Sequence, residues 1–235
     1  MDESRRDEPD DFDQAYAEGW RLFNAGQLEG AIAAFARAAA IRPADYRPWE
    51  VTGCCLGGLS RWDESLAAFE KARQLGHECA DCWFNRSIAM CQLHRAEEAL
   101  QALDRSLALE PNNVAAWHNK GMILGMAHGR APGELELFDG RHERAVAAFD
   151  RVLVLEPEHC WAWHYKAYTL YKISHSCAAI QGLIAAGWPQ DKDIAQEALA
   201  CIERAMALHP DRPAAAELRE EITAWIAERS GITNG

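Results

Sequence analysis

Residues 80–113, ADCWFNRSIAMCQLHRAEEALQALDRSLALEPNN, contain two amphipathic segments joined by a short polar turn. In the second segment the apolar residues recur at spacings of three and four: Ala96, Ala99, Leu100, Leu103 and Leu107. That period predicts a helix with one apolar face. The first segment is predicted to be helical too, and its small Ser87 lets the two helices approach closely. A helix pair this short cannot bury its apolar face alone, so it needs neighbouring pairs of the same kind.

The same anchors recur along the chain. Tryptophans are spaced by 34 residues and then by 46: Trp49, Trp83, Trp117 and Trp163. A small residue follows each tryptophan by four positions: Gly53, Ser87, Gly121 and Ala167. Prolines end several repeats at Pro43, Pro111, Pro157 and Pro210, and His77 stands where the second repeat would have its proline. A fixed period of about 20–50 residues indicates a repeat architecture.

These anchors resemble the tetratricopeptide repeat (TPR) family, whose 34-residue signature combines W-x2-L-G-x2-Y, A-x3-F and a proline. The resemblance covers residues 12–212 and implies an all-α fold. We expect a right-handed α-solenoid of about five helix–turn–helix repeats plus a C-terminal capping helix. The predicted repeats are 12–45, 46–79, 80–113, 114–159 and 160–212, and the capping helix is 213–229. The tryptophans are predicted to lie buried between stacked helices, where Trp83→Ala would cost about 3–5 kcal/mol.

The ends and two insertions depart from the repeat. Residues 1–11 are predicted to be a disordered acidic tail, because they contain many charges and few apolar residues, and residues 230–235 a flexible tail. The fourth and fifth repeats contain insertions between their two helices, at residues 127–138 and 174–192. Turns of this kind project from one edge of a solenoid. The insertions are therefore predicted to form a flap or docking ridge, or else to be decoration.

Composition limits the kind of partner. The net charge of −12 argues against nucleic acid or an anionic membrane surface as the main partner. The sequence has no apolar run of 18 residues and no signal-peptide pattern. We therefore expect a cytoplasmic protein without a cofactor, whose partner is another protein or a peptide.

The eight cysteines are scattered without a framework spacing and are interpreted mostly as small apolar side chains. Cys79-x-x-Cys82 is the one pair with the spacing of metal ligands, and His77 is close to it. A structural zinc site needs four ligands and usually brings two such pairs together. Cys91 lies about 13 Å further along the same predicted helix, at 1.5 Å per residue. The strand–helix context of a thioredoxin-like redox motif is also missing. We therefore expect no metal at Cys79 and Cys82.

The resemblance implies that the first helix of each repeat lines a concave groove. The candidate partner-binding residues at its inner positions are Tyr16, Trp20, Phe23, Phe84, Asn85, Ile88, His118, Asn119, Met122, Trp161, His164, Tyr168 and Tyr171. Aromatic side chains and methionine suit an apolar or amphipathic peptide, although some of them can pack within the array instead. Gly57, Gly58 and Gly125 lie in predicted helices, where glycine costs about 1 kcal/mol relative to alanine. They leave room for a ligand, permit tight packing against the adjacent helix, or mark an early end of the helix.

No motif points to catalysis. The sequence has no phosphate-binding glycine loop, no HExxH and no nucleophile elbow. The leading hypothesis is a non-catalytic protein–protein interaction module or scaffold. One alternative is a metal-binding or redox protein that uses cysteine or histidine residues, for example His118 facing His164. Another is a self-associating TPR protein that forms homo-oligomers.

Overall fold

A computed structural model describes residues 11–125, 140–175 and 191–229, and within these ranges all regular structure is helical. The helices are α1 (Asp11–Asn24), α2 (Leu28–Ile41), α3 (Arg47–Gly58), α4 (Trp62–Gln74), α5 (Ala80–Gln92), α6 (Ala96–Leu109), α7 (Val114–Gly125), α8 (Arg141–Leu155), α9 (Cys160–His175), α10 (Asp191–Leu208) and α11 (Pro213–Arg229). The chain divides into a first unit, Met1–Pro111, and a second unit, Asn112–Gly235. The predicted tails and insertions lie outside the described residues, except for Asp11, which begins α1, and residues 174–175 and 191–192, which are helical.

In the first unit two of the three helix pairs close around a glycine beneath a buried ring. Helices α1 and α2, α3 and α4, and α5 and α6 form the pairs, and α2 also packs on α3 and α4 on α5. A Cβ atom at Gly19 would lie 2.4 Å from the ring of Phe35, and one at Gly53 would lie 2.8 Å from the ring of Phe69. Neither approach is possible for a larger residue without movement of the ring. Glycine at these positions therefore permits the close helix packing that the sequence predicts.

The second unit continues the same packing and ends on a one-sided helix. Helix α7 packs on α8, α8 on α9, α9 on α10 and α10 on α11. Gly121 lies beneath Phe149, where a Cβ atom would be 2.6 Å from the ring. Helix α11 buries one row of residues at spacings of three and four: Ala215, Leu218, Ile222 and Trp225. Its glutamates and Arg219 are exposed, so this helix has the polar outer face expected of a cap.

The turns inside the helix pairs share one backbone feature. Four residues at the same repeat position have a positive φ, namely Gly26 (73°), Ser60 (59°), His94 (58°) and Gly140 (71°). Each lies one or two residues before the second helix of its pair. Glycine adopts this left-handed conformation readily, whereas residues with a Cβ atom pay about 1–2 kcal/mol. The turn geometry is therefore kept even where the residue is not glycine.

The turns between pairs share a capping position. Four residues there accept a backbone N–H with their side chains: Asp45 from Arg47 (3.0 Å), Cys79 from Cys82 (3.1 Å), Asn113 from Ala116 (2.9 Å) and His159 from Ala162 (3.1 Å). The first backbone N–H groups of a helix have no partner within it. Each of these side chains accepts a hydrogen bond from one such N–H group, but through a different atom: a carboxylate oxygen, a sulfur, an amide oxygen and an imidazole nitrogen.

The tryptophans are less buried than the sequence predicts. Trp49, Trp83, Trp117 and Trp163 are all partly exposed. The Arg86 guanidinium covers the Trp83 ring at 4.4 Å from the ring centroid, and the Trp163 indole donates to the carbonyl of Pro157 at 2.9 Å. The rings are thus only partly buried, and we expect Trp83→Ala to cost less than the roughly 3–5 kcal/mol typical of a buried ring.

Candidate functional site

A cleft of about 200 Å³ opens on the first unit between α3, α4 and α5. It is lined by Gly53, Cys54, Gly57, Gly58, Trp62, Ser65, Phe69, Asn85 and Ile88. Two of the predicted groove residues, Asn85 and Ile88, are therefore brought together with the glycines of α3. The volume is below the roughly 300–1,000 Å³ of typical small-molecule sites, so the cleft has room for a single side chain.

The surroundings of Gly57, Gly58 and Gly125 differ. A Cβ atom at Gly57 would make only ordinary contacts, at 3.6 Å from Ser65 Oγ and 3.7 Å from the Trp62 ring. At Gly58 it would lie 2.8 Å from a methyl group of Leu28, and at Gly125 it would lie 2.8 Å from Thr169 Oγ1. Helix α3 ends at Gly58, so a helix end accounts for this glycine besides its approach to Leu28. Gly125 lies close to Thr169, whereas Gly57 leaves open space in the cleft.

Polar chemistry in the cleft is sparse. The Asn85 amide nitrogen donates to Cys54 Sγ at 3.6 Å, which is a long bond to a weak acceptor. Burial, followed by the nearby Glu50 carboxylate, raises the pKa of the Cys54 thiol to about 12. Cys54 is therefore an uncharged thiol at neutral pH, and Asn85 is the main hydrogen-bonding group that a ligand would meet.

At the start of the first unit, Tyr16, Trp20 and Phe23 lie on α1 in one aromatic cluster with Phe35. The Trp20 ring centroid lies 5.4 Å from that of Phe23 and 6.2 Å from that of Phe35, and Tyr16 lies 5.5 Å from Phe35. Tyr16 and Phe23 pack against a buried core of α2 and α3 residues. Trp20 is 38% exposed. These three residues therefore contribute to the core, and only Trp20 presents a large exposed surface.

In the second unit a further aromatic cluster is centred on Tyr165, another inner position of the fifth repeat. Its ring contacts three predicted groove residues, at centroid distances of 5.8 Å to His118, 5.8 Å to Trp161 and 5.3 Å to His164. The Arg212 guanidinium stacks on Trp161 at 3.2 Å from the ring centroid. Trp161 is 47% exposed, and it carries this stacked cation at the edge of the cluster.

The two histidines of this cluster are held in the neutral state. Burial, followed by the nearby His159, lowers the pKa of His118, and burial, followed by Arg212, lowers that of His164. A hydrogen bond with the Asn119 side chain acts in the opposite direction on His118. Since Tyr165 contacts both imidazoles, the aromatic packing is enough to account for their burial.

The other predicted groove residues are partly buried. Phe84, Met122, Tyr168 and Tyr171 all have intermediate exposure. Tyr168 and Tyr171 pack against the buried core of α9 and α10, and Lys172 Nζ lies 5.3 Å from the Tyr168 ring centroid. The alternative that some groove positions pack within the array therefore describes these tyrosines well.

A polar cluster in the first unit brings together four side chains from α3, from the turn between α4 and α5, and from the first turn of α5. Glu50 on α3 lies opposite His77, Cys79 and Cys82, and one ligand atom from each of the four lies within 4.8 Å of the others. Gly76, with φ of 88°, turns the chain after α4. The His77 ring then stacks on Tyr46 with 3.8 Å between the ring centroids. Sequence reasoning found the pair of cysteines and His77, but missed Glu50.

The distances inside this cluster are short. Cys82 Sγ and Cys79 Sγ lie 3.4 Å and 3.7 Å from Glu50 Oε1, and the two sulfurs are 2.6 Å apart. His77 Nε2 is buried and lies 3.3 Å from Glu50 Oε2, with no hydrogen-bond partner of good geometry. The hydrogen bond with the Cys82 thiol lowers the pKa of Cys79 to about 7, whereas the same contact and then burial raise the pKa of Cys82.

Comparison with known proteins places this arrangement of helix pairs in a known class, the helical repeat proteins. A family model described as tetratricopeptide repeat matches residues 80–113. A crystal structure of YrrB superimposes with a TM-score of 0.67 and 20% identity, covering 88% of this chain and 90% of YrrB. MamA from Desulfovibrio magneticus RS-1 gives a TM-score of 0.68 and 16% identity, covering 87% and 98%. Comparison with curated proteins gave no match.

The sequence anchors are thus matched by the tetratricopeptide repeat model over residues 80–113, and the described helix pairs have the fold of TPR proteins of known structure. The all-α fold of consecutive helix pairs is confirmed as that of the TPR solenoids. Within the described ranges, no helix is both long and apolar enough to cross a membrane.

Proposed function

We propose that this protein is a non-catalytic interaction module that binds a segment of a partner protein in the cleft between α3, α4 and α5. The observation that carries the proposal is the open space at Gly57 in the last turn of α3, where a Cβ atom would make only ordinary contacts. One apolar side chain of a partner would enter this space. The Asn85 amide lies at its edge and would bind the backbone of the same segment, because an amide both donates and accepts hydrogen bonds.

Two further observations support a binding role over catalysis. Cys54 is the one titratable side chain among the residues that line this cleft, and its raised pKa keeps it in the thiol form, which is a poor nucleophile. The similarly folded YrrB is described as a TPR protein with an unusual peptide-binding site. A peptide is therefore the ligand that the fold and the cleft both suit.

The partner's character follows from charge and from thiol chemistry. A chain of net charge −12 repels nucleic acid and anionic lipid, so we infer that the partner is a protein segment with an apolar anchor residue. The seven cysteines within the described ranges are free. Free thiols are typical of reducing compartments, which favours a cytoplasmic location.

Filling the cleft tests the proposal. Peptides selected from a displayed random library against the wild-type protein provide the probe, and their affinities are measured by calorimetry. We expect Gly57→Leu to weaken binding at least tenfold, equivalent to about 1.4 kcal/mol, because the new side chain occupies the space of the anchor residue. The melting temperature should not fall, since leucine favours helix more than glycine does.

The matched control is Ala67→Leu, which adds a leucine at an exposed position of α4 that is not among the residues lining the cleft. It should leave affinity unchanged. A Gly57→Leu variant that binds the selected peptides as tightly as the wild type would refute the assignment of the cleft. Failure of the library to yield any peptide would refute it as well.

A further inference from the structure

Internal comparison of the repeats singles out the polar cluster around Glu50. Where the second repeat has His77, other repeats have a proline at Pro43, Pro111 and Pro157. Where it ends in Cys79, the neighbouring repeats have Asp45 and Asn113. Cys82 stands where other repeats have Gln14, Pro48, Ala116 and Ala162, and Glu50 stands where they have Tyr16, Phe84, His118 and His164. Four departures from the repeat thus meet at one place.

Helix capping alone does not account for Cys79. Its sulfur accepts the Cys82 N–H at 3.1 Å, but sulfur is a weak acceptor, and oxygen-bearing side chains are preferred at such positions. Asp45 and Asn113 provide oxygen at the equivalent turns. The cysteine therefore needs a second reason. Coordination of a metal is one, because thiolate is a strong ligand for a soft or borderline cation.

We propose that Glu50, His77, Cys79 and Cys82 bind one zinc ion that joins α3 to the turn before α5 and to the first turn of α5. Two thiolates, one imidazole and one carboxylate form a four-ligand set of the type that zinc accepts in tetrahedral geometry. Calcium and magnesium require six or more oxygen ligands. Because all four positions come from the protein, the site is closed and has a structural role.

The distances suit a tetrahedral ion at the two ligand pairs that share Glu50 Oε1, and His77 faces the other oxygen of the same carboxylate. Metal bonds of about 2.0–2.3 Å place the ligand atoms of a tetrahedron about 3.3–3.8 Å apart. His77 Nε2 to Glu50 Oε2 is 3.3 Å, and the two sulfurs lie 3.4 Å and 3.7 Å from Glu50 Oε1. The sulfur–sulfur distance of 2.6 Å must increase by about 1 Å, which rotation of the cysteine side chains provides.

The surroundings of the cluster also suit coordination. The buried His77 Nε2 has no hydrogen-bond partner of good geometry, so it is available as a ligand. The stack on Tyr46 orients the imidazole, and the Cys82 N–H donates to the Cys79 sulfur. Such contacts around the ligands usually orient and tune a metal site.

Zinc binding to the full chain tests the proposal. The protein is reduced, stripped with a chelator and titrated with Zn²⁺ alone, with affinity measured by competition against a chromophoric chelator. We expect one zinc per chain, retained through gel filtration and measured by mass spectrometry. Titration with Co²⁺ should give the visible absorption of a tetrahedral ion together with a thiolate-to-cobalt charge-transfer band.

Matched variants identify the ligands. We expect Cys82→Ser and Glu50→Gln each to weaken zinc binding at least tenfold, whereas Cys91→Ser, on the same helix as Cys82, binds as the wild type. Circular dichroism verifies that each variant is folded, and the cobalt spectrum of the wild type tests the site even if a variant unfolds. Reduced protein that retains no zinc overturns the proposal. So does wild-type affinity in Glu50→Gln, or a Cys79–Cys82 disulfide that persists in reductant.

Discussion

The turn between α2 and α3 and the turn between α4 and α5 perform the same structural task with different chemistry. At the first, the Asp45 carboxylate accepts the Arg47 N–H at 3.0 Å and pairs with the Arg47 guanidinium. At the second, Cys79 provides the acceptor and belongs to a cluster with Cys82, His77 and Glu50. The fold requires only that an acceptor be present at this position. The acceptor group can therefore differ between turns and can have a second role besides capping.

The largest expected effect comes from making the second turn resemble the first. Cys79→Asp restores an oxygen acceptor and replaces a proposed thiolate ligand with a carboxylate, a harder ligand that suits zinc less well. Without metal, we expect this variant to be at least as stable as the wild type. With zinc at 100 times its dissociation constant, the wild type should gain about 2.7 kcal/mol and the variant much less. Urea unfolding with and without zinc measures both, and equal zinc responses in the two proteins would contradict the comparison.

The next effect comes from removing the acceptor at the first turn. Asp45→Ala should lower the free energy of unfolding by about 1 kcal/mol at pH 7, as loss of a capping side chain usually does. The hydrogen bond from the Arg47 side chain, more than any other contact, lowers the pKa of Asp45 in the folded protein. The stabilisation should therefore be complete above the unfolded pKa of about 3.9 and decrease as the pH falls through the lower folded pKa.

Urea unfolding of the wild type and Asp45→Ala, at pH 7 and stepwise down to about pH 3, measures this dependence. The difference between the two proteins should shrink toward the acid end. A difference that stays constant over this range would show that the ionised carboxylate is not the stabilising group.

The smallest effect comes from making the first turn resemble the second. Asp45→Cys keeps a side-chain acceptor but exchanges oxygen for sulfur, so we expect a loss of less than about 1 kcal/mol. No zinc response should appear at this turn, because Tyr16, Pro43 and Pro48 stand at the positions equivalent to Glu50, His77 and Cys82. The Cys79→Ser background removes the native site and isolates the new thiol. A zinc-dependent stabilisation in that double variant would show that one cysteine is enough.

Sequence reasoning predicts most of the fold, because the fold depends on a periodic pattern. The spacing of Gly53 and Phe69 predicts their packing, since each residue occupies a set position within one repeat. The exposure of Trp83 was not predictable in this way. The period locates the ring on α5 but does not show that Arg86, rather than a neighbouring helix, covers part of it.

The polar cluster shows why the site was harder to predict. Ligands were sought along the helix that carries Cys82, where Cys91 is too distant. Glu50 lies 29 positions before Cys79 and approaches it only because adjacent repeats stack their first helices. A usable signal was present in the repeat register, since four positions near this turn depart from their equivalents in other repeats. Single motifs conceal such a signal, whereas alignment of the repeats reveals it.

In the four described turns within helix pairs, a residue with positive φ precedes the second helix. This position bears on where a helix pair can accept an insertion. Gly26, Ser60 and His94 are spaced by 34 residues, whereas Gly140 follows His94 by 46, yet it has nearly the same φ. The additional residues were thus accommodated upstream of this residue, and the chain enters α8 as it enters α2, α4 and α6. We therefore expect that a loop inserted at the peptide bond just before Ser60 or His94 leaves the helix pair intact.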